Sequence, residues 1–129
     1  MARFKVLIVD DDIAFRQAIS GFLREQLSAL EISEASNYQE ALRQLDHVDL
    51  VFVDISLPGE NGLEITAKLK CAHPELAVSM LTINDSREYR DAAFERGADY
   101  FVSKSDPAEK ILEVVQSARA RTHPNGTQF

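Results

Sequence analysis

Apolar and polar positions along the chain change period five times. Short apolar runs at 4–9, 30–35, 50–53, 76–81 and 100–102 each predict a strand, and a stretch with helical spacing follows every one. The first such stretch carries Phe15, Ala18, Ile19, Phe22, Leu23 and Leu27 on one face. Further helices are predicted over 38–45, 63–71, 87–96 and 108–121. The last has Ile111, Leu112, Val115 and Ala118 as its apolar face. The helix over 87–96 is thin in apolar residues, with Tyr89, Ala92 and Ala93 as its inward candidates. The run at 30–35 keeps one half-polar side, which suits a sheet edge.

Helix starts support these boundaries. A capping residue followed three positions later by Glu recurs at Asn37/Glu40, Asn61/Glu64, Asp85/Glu88 and Asp106/Glu109. In each pair the first side chain can accept an orphan backbone N–H while the Glu reaches back. Pro107 adds a first-turn proline. Asp12 is expected to cap the first helix alone, because Phe15 stands where the reciprocal Glu would be. Strict βα alternation implies a parallel sheet with right-handed crossovers and helices on both faces. The expected fold is therefore α/β, a flavodoxin-like (βα)5 three-layer sandwich with strand order 2-1-3-4-5.

Composition narrows the function. The chain of 129 residues is long enough for one domain with its own core, expected over 1–121, with a flexible polar tail at 122–129. No apolar run approaches the length of a bilayer span, so no membrane partner is expected. The single cysteine, Cys71, excludes an internal disulfide and fits a cytoplasmic location. A formal charge of −7 argues against direct nucleic-acid binding by this chain, which would need Lys and Arg to neutralise phosphates.

The candidate chemistry lies at strand ends. The run at 50–53 closes on Asp54, and Pro58-Gly59 then breaks the chain before the next helix. In the expected strand order the first and third strands are neighbours where the order reverses. Asp10, Asp11 and Asp54 therefore meet at the switch point, where open α/β sheets bind ligands. Clustered carboxylates repel one another, and a hard divalent cation such as Mg2+ is the simplest compensation. Thr82 and Lys104 end the fourth and fifth strands at the same edge. A hydroxyl, an ammonium and a metal around one carboxylate suit a phosphoryl group in transfer, with Asp54 as nucleophile forming an acyl phosphate.

With Val9-Asp10-Asp11, Asp54, Leu57-Pro58-Gly59, Gly62, Thr82, Gly97-Ala98 and Lys104 in place, the chain resembles a receiver domain of a bacterial two-component response regulator. The resemblance runs from Phe4 to about Arg121 and is closest in character to receivers of helix-turn-helix regulators. It implies Mg2+, or Mn2+ in its place, on Asp10, Asp11, Asp54 and the Ser56 backbone carbonyl. It also implies phosphotransfer to Asp54 from a sensor histidine kinase or a histidine phosphotransfer protein, with Thr82 and Lys104 holding the phosphoryl oxygens. Phe101 falls where the family has a rotating aromatic switch. Phosphorylation would draw Thr82 inward, let Phe101 bury, and repack the face of the fourth helix, fifth strand and fifth helix. Phe94 is a candidate contact on that face for a downstream partner, an output domain or a phosphorylation-dependent homodimer. The module would not be an enzyme beyond its own phosphoryl transfer and dephosphorylation.

Three departures from the family pattern stand out. Ser105 follows Lys104 where many receivers have proline, Ile83 is bulky beside Thr82, and Asp12 extends the acidic pair. Other functions on this fold fit less well. A flavin carrier would want a Ser/Thr/Gly-rich phosphate loop after the first strand, where Asp10-Asp11-Asp12 repel phosphate. An aspartyl phosphohydrolase would want a second acid as proton donor close to Asp54, and Asp54-Ile55-Ser56 offers none. A degenerate, phosphate-independent interaction domain would not keep all five site residue types.

Overall fold

The computed structural model describes residues 3–55, 59 and 61–122. Strands β1 (Phe4–Val9), β2 (Leu30–Ala35), β3 (Leu50–Asp54), β4 (Ala77–Thr82) and β5 (Tyr100–Ser103) alternate with five helices. These are α1 (Ile13–Gln26), α2 (Tyr38–Leu42), α3 (Gly62–Ala72), α4 (Arg87–Glu95) and α5 (Ala108–Thr122). Every strand pair is parallel and the order is β2-β1-β3-β4-β5, as predicted. From residue 123 onward the expected tail lies outside the described residues.

Side chains alternate across each strand, so the sheet divides two apolar cores. Val6, Ile8, Phe52, Leu81 and Val102 face α1 and α5, joining Ile19, Leu23, Ile111 and Val115. Leu7, Val9, Val53, Met80 and Phe101 face the other way, joining Ala41, Ile65, Leu69 and Ala93 of α2, α3 and α4. Covered on both sides, β1, β3 and β4 read as continuous apolar runs rather than alternating ones. β2 is at an edge and half exposed, as its polar positions foretold.

Two of the four predicted capping pairs need correction. Asn37 accepts from the Glu40 N–H at 2.9 Å while Glu40 reaches back to Ser36 N–H at 2.8 Å. Asn61 accepts from Leu63 N–H. At α4, however, Ser86 and not Asp85 is the cap, accepting from Tyr89 N–H, because Asn84 Oδ1 draws in the Ser86 N–H and turns the chain one residue later. Asp106 instead accepts from Ser103 N–H at 3.0 Å, tightening the turn that follows β5. Asp12 caps α1 alone, as expected. Helix α2 stops at Leu42 rather than 45 because the chain must turn back into β3, passing through His47 at φ +62°. Of α4's inward candidates only Ala93 is buried; Tyr89 is 37% exposed.

Gly97 ends α4 at φ +101°, with Ala98 N–H bonded to the Ala93 carbonyl and Gly97 N–H to that of Phe94. Gly62 opens α3 against the end of β3, where an added Cβ would lie 2.5 Å from Ile55 Cα and 3.0 Å from the Asp54 carbonyl oxygen. Gly62→Ala is therefore expected to cost about 1–3 kcal/mol in urea unfolding, since backbone must move. Gly21→Ala, in an open and exposed part of α1, should instead stabilise by about 0.5–1 kcal/mol.

Candidate functional site

Parallel strands bring their C-terminal ends to one edge, and register aligns them there. Asp54 pairs with Leu81 and Thr82 with Ser103, so the site residues sit on the ladder or within two residues of its end. Asp10 follows β1 immediately and Lys104 follows β5. The Lys104 N–H donates to the Thr82 carbonyl at 2.7 Å, continuing the sheet past its last assigned residue. Behind it, Ser103 and Ser105 share a hydroxyl contact at 2.9 Å, and Asp106 closes the turn. No cis peptide occurs among the described residues, so Lys104–Ser105 is trans.

The structure brings Asp10, Asp11 and Asp54 together, each offering a carboxylate oxygen within 4.8 Å of the others. Asp10 is fully buried and Asp54 is 4% exposed, while Asp11 opens to solvent. Asp10 Oδ1 accepts from Asp12 N–H at 2.9 Å. The Lys104 ammonium reaches Asp10 Oδ2 at 2.7 Å and Asp54 Oδ2 at 3.5 Å. Its approach to Asp10 is short but poorly angled, so Oδ2 is held by charge and has no well-formed hydrogen bond. An orphaned, buried carboxylate oxygen beside two further carboxylates fits a hard divalent cation. The third protein donor implied by resemblance, the Ser56 carbonyl, lies outside the described residues, as do Leu57 and Pro58.

Electrostatics agree with that fit. Burial pushes the Asp10 carboxyl above its ordinary value, the Asp54 charge adds to this, and Lys104 and the Asp12 N–H only partly offset it. Burial works against the Lys104 ammonium, yet Asp10 and Asp54 together hold its pKa above the ordinary lysine value. Two buried carboxylates and an open third thus face one ammonium, and the site has an excess of negative charge.

Thr82 is fully buried, its Oγ1 accepting from Asn84 N–H at 3.0 Å. Phe101 is only 5% exposed and lies in the α2–α4 core, with the Arg90 guanidinium 5.0 Å from its ring centre. Thr82 and Phe101 both occupy inward positions, the places to which the expected switch would bring them. Phe101 pairs in register with Met80 and shares its face, so the ring completes that core. Ile83 is exposed beside the site, and Phe94 is 45% exposed on α4.

Two residues escaped the sequence reading. The Phe15 ring lies 4.7 Å from the Lys104 ammonium, seating it as a cation–π partner. Arg16 is buried on the inward face of α1 and donates to the Asp10 backbone carbonyl at 2.6 Å. Its spacing from Ile19, Ser20 and Leu23 is that of a core-facing helix position, which was the available signal.

Residues 6–116 match the response regulator receiver domain family. Among curated relatives, a cyclic di-GMP phosphodiesterase of Thermotoga maritima is 35% identical over 117 residues, covering 90% of this chain and 31% of the relative. The transcriptional activator protein ExaE of Pseudomonas putida is 34% identical, covering 89% of this chain and 55% of its own length. The chain thus spans a third to a half of the curated relatives it matches. Among solved structures, the BeF3-activated receiver domain of DrrB, from Thermotoga maritima, superposes with a TM-score of 0.81 at 28% identity, covering 90% of this chain and 97% of that one.

The charge balance can be tested without any ligand. Lys104→Met takes the ammonium away from buried Asp10 and Asp54, and should cost about 3–5 kcal/mol in metal-free chemical unfolding. Adding Asp10→Asn should restore a substantial part of the loss. Losses that simply add would show that the ion pair is not the cause.

Proposed function

The chain belongs to the response regulator receiver domain family, and from that premise we propose that it is a phosphoacceptor module whose nucleophile is Asp54. The observation that carries the reading is a carboxylate nearly closed to solvent at a strand end, with Asp10 and Asp11 within 4.8 Å and the Lys104 ammonium 3.5 Å from its Oδ2. Asp10, Asp11 and Asp54, with the Ser56 carbonyl, would hold Mg2+ or Mn2+. When bound, such an ion supplies positive charge to carboxylate and phosphoryl oxygens alike.

In the proposed reaction an Asp54 Oδ attacks the phosphorus of a phosphohistidine on a histidine kinase or phosphotransfer protein. The P–N bond breaks, its electron pair stays with the imidazole nitrogen, and that nitrogen takes a proton from solvent. Lys104 would turn from Asp10 toward the phosphoryl oxygens. The Thr82 hydroxyl proton, which has no acceptor among the described residues, would donate to another. Reaching that hydroxyl requires the loop at 83–86 to give way, because Asn84 and Ser86 tie Thr82 to the start of α4. Signal would therefore leave through α4, which has one buried residue, and through the face it forms with β5 and α5. Phe101, under Arg90, would be held or released as α4 moves.

The receiver unit is proposed to extend through residue 121. A downstream partner, an output domain or a second copy would read the α4 side, where Phe94 is exposed. Hydrolysis of external substrates would belong to such an output module, as would DNA binding, since the charge of −7 opposes it here. No helix among the described residues is long and apolar enough to cross a membrane, and we place the module in the cytoplasm with its donor kinase.

Intact mass after incubation with acetyl phosphate tests the acceptor. One phosphoryl adduct should form with Mg2+ present, and none after chelation or in Asp54→Asn. Thr82→Ala should slow adduct formation by about 10²-fold. Turnover through another residue would show as an undiminished adduct in Asp54→Asn. Methyl spectra with and without a phosphoryl mimic should shift at Ile83, Ala92 and Ala93; changes confined to the acidic cluster would refute the route through α4.

A further inference from the structure

Asp10 is fixed by more than its place after β1. Its N–H donates to the Ala35 carbonyl at 3.0 Å, its Oδ1 accepts from Asp12 N–H, and its carbonyl accepts from Arg16 Nη1 at 2.6 Å. Arg16 is itself held from the far side, where its Nε donates to Glu34 Oε1 at 2.9 Å. Ser20 Oγ donates to the other Glu34 oxygen at 3.2 Å, and Gln44 Nε2 donates to the Glu34 carbonyl. A guanidinium can hold a carboxylate and a carbonyl at once because its donors form a rigid fork. A lysine ammonium at the same depth is a point charge without that geometry. Asp10 Oδ2, the one buried carboxylate oxygen among the described residues with no well-formed hydrogen bond, is carried by the backbone that Arg16 grips.

We infer that Arg16 is a positioning residue for the divalent-cation site. Acting through the Asp10 carbonyl, it keeps Asp10 and Asp11 oriented toward Asp54, and Glu34 on β2 is its anchor. This rests on the metal reading of the acidic cluster. Partners behind metal ligands commonly tune affinity by 10–100-fold when removed.

The test is Mn2+ titration of the whole chain, followed by the EPR signal of free Mn2+, alongside urea unfolding. Arg16→Met should weaken Mn2+ binding by about 10–100-fold. Lys70→Met is the structural control. It removes a comparable ion pair with Asp99 at 3.0 Å, together with bonds to the Pro74 and Leu76 carbonyls, at the opposite end of the sheet. It should lose stability while keeping Mn2+ affinity within twofold of the parent. Arg16→Lys, which keeps charge against Glu34 but not the fork, should weaken binding to an intermediate degree and serves if Arg16→Met does not fold. A folded Arg16→Met, or failing it Arg16→Lys, with parental affinity overturns the inference. So does an equal loss in Lys70→Met. A parent chain that binds no Mn2+ overturns the metal reading itself, and the role of Arg16 with it.

Discussion

Lys104 is the contact on which this end of the molecule depends. Its ammonium lies 2.7 Å from one buried carboxylate and 3.5 Å from another, over an aromatic ring. Removing any of these partners changes the position or the charge state of the others. Two carboxylates at such depth are costly to ionise, and one ammonium compensates only part of that cost. The remaining imbalance is what a divalent cation on Asp10, Asp11 and Asp54 would offset.

The sheet delivers that arrangement without long-range coincidence. In a parallel sheet every strand ends on the same edge, and order β2-β1-β3-β4-β5 sets the ends of β1 and β3 side by side. Each site residue needs only to be the last of its strand or one of the first two after it. Turn chemistry then refines the placement. Asp12 closes the start of α1, Asp106 tightens the turn behind Lys104, and Gly62 lets α3 begin against the Asp54 carbonyl.

Much of this was legible in the sequence, because it depends on periodicity and strand ends. The ten elements, their order and the meeting of Asp10, Asp11, Asp54 and Lys104 at one edge, with Thr82 at a strand end there, follow from short apolar runs and the helical spacing between them. What was not legible depends on competition between near neighbours. Asp85 and Ser86 are both good caps, and the choice fell to Asn84, whose side chain takes the Ser86 N–H. Asp106 has a helix ahead and a turn behind, and the turn claimed it. Arg16 is charged and so lay outside the apolar stripe, although its spacing put it on the buried face, paired with Glu34. The seating of Phe101 in the α2–α4 core was beyond reach, since a period-two pattern gives the face of a side chain but not how deeply it packs.

The partition of the interior by the sheet has a consequence for how such a chain can vary. Phe52, Leu81 and Val102 belong to one apolar volume and Val53, Met80 and Phe101 to another, with backbone between them. Changes well apart on opposite sides of the sheet, with no shared partners, contribute to stability nearly additively. The α1/α5 side and the α2–α4 side therefore behave as two separately adjustable inventories. A lineage can rebuild the helices on one side to suit a new listener while the other keeps its old packing, and the acidic edge, which belongs to the strands themselves, is carried along unchanged.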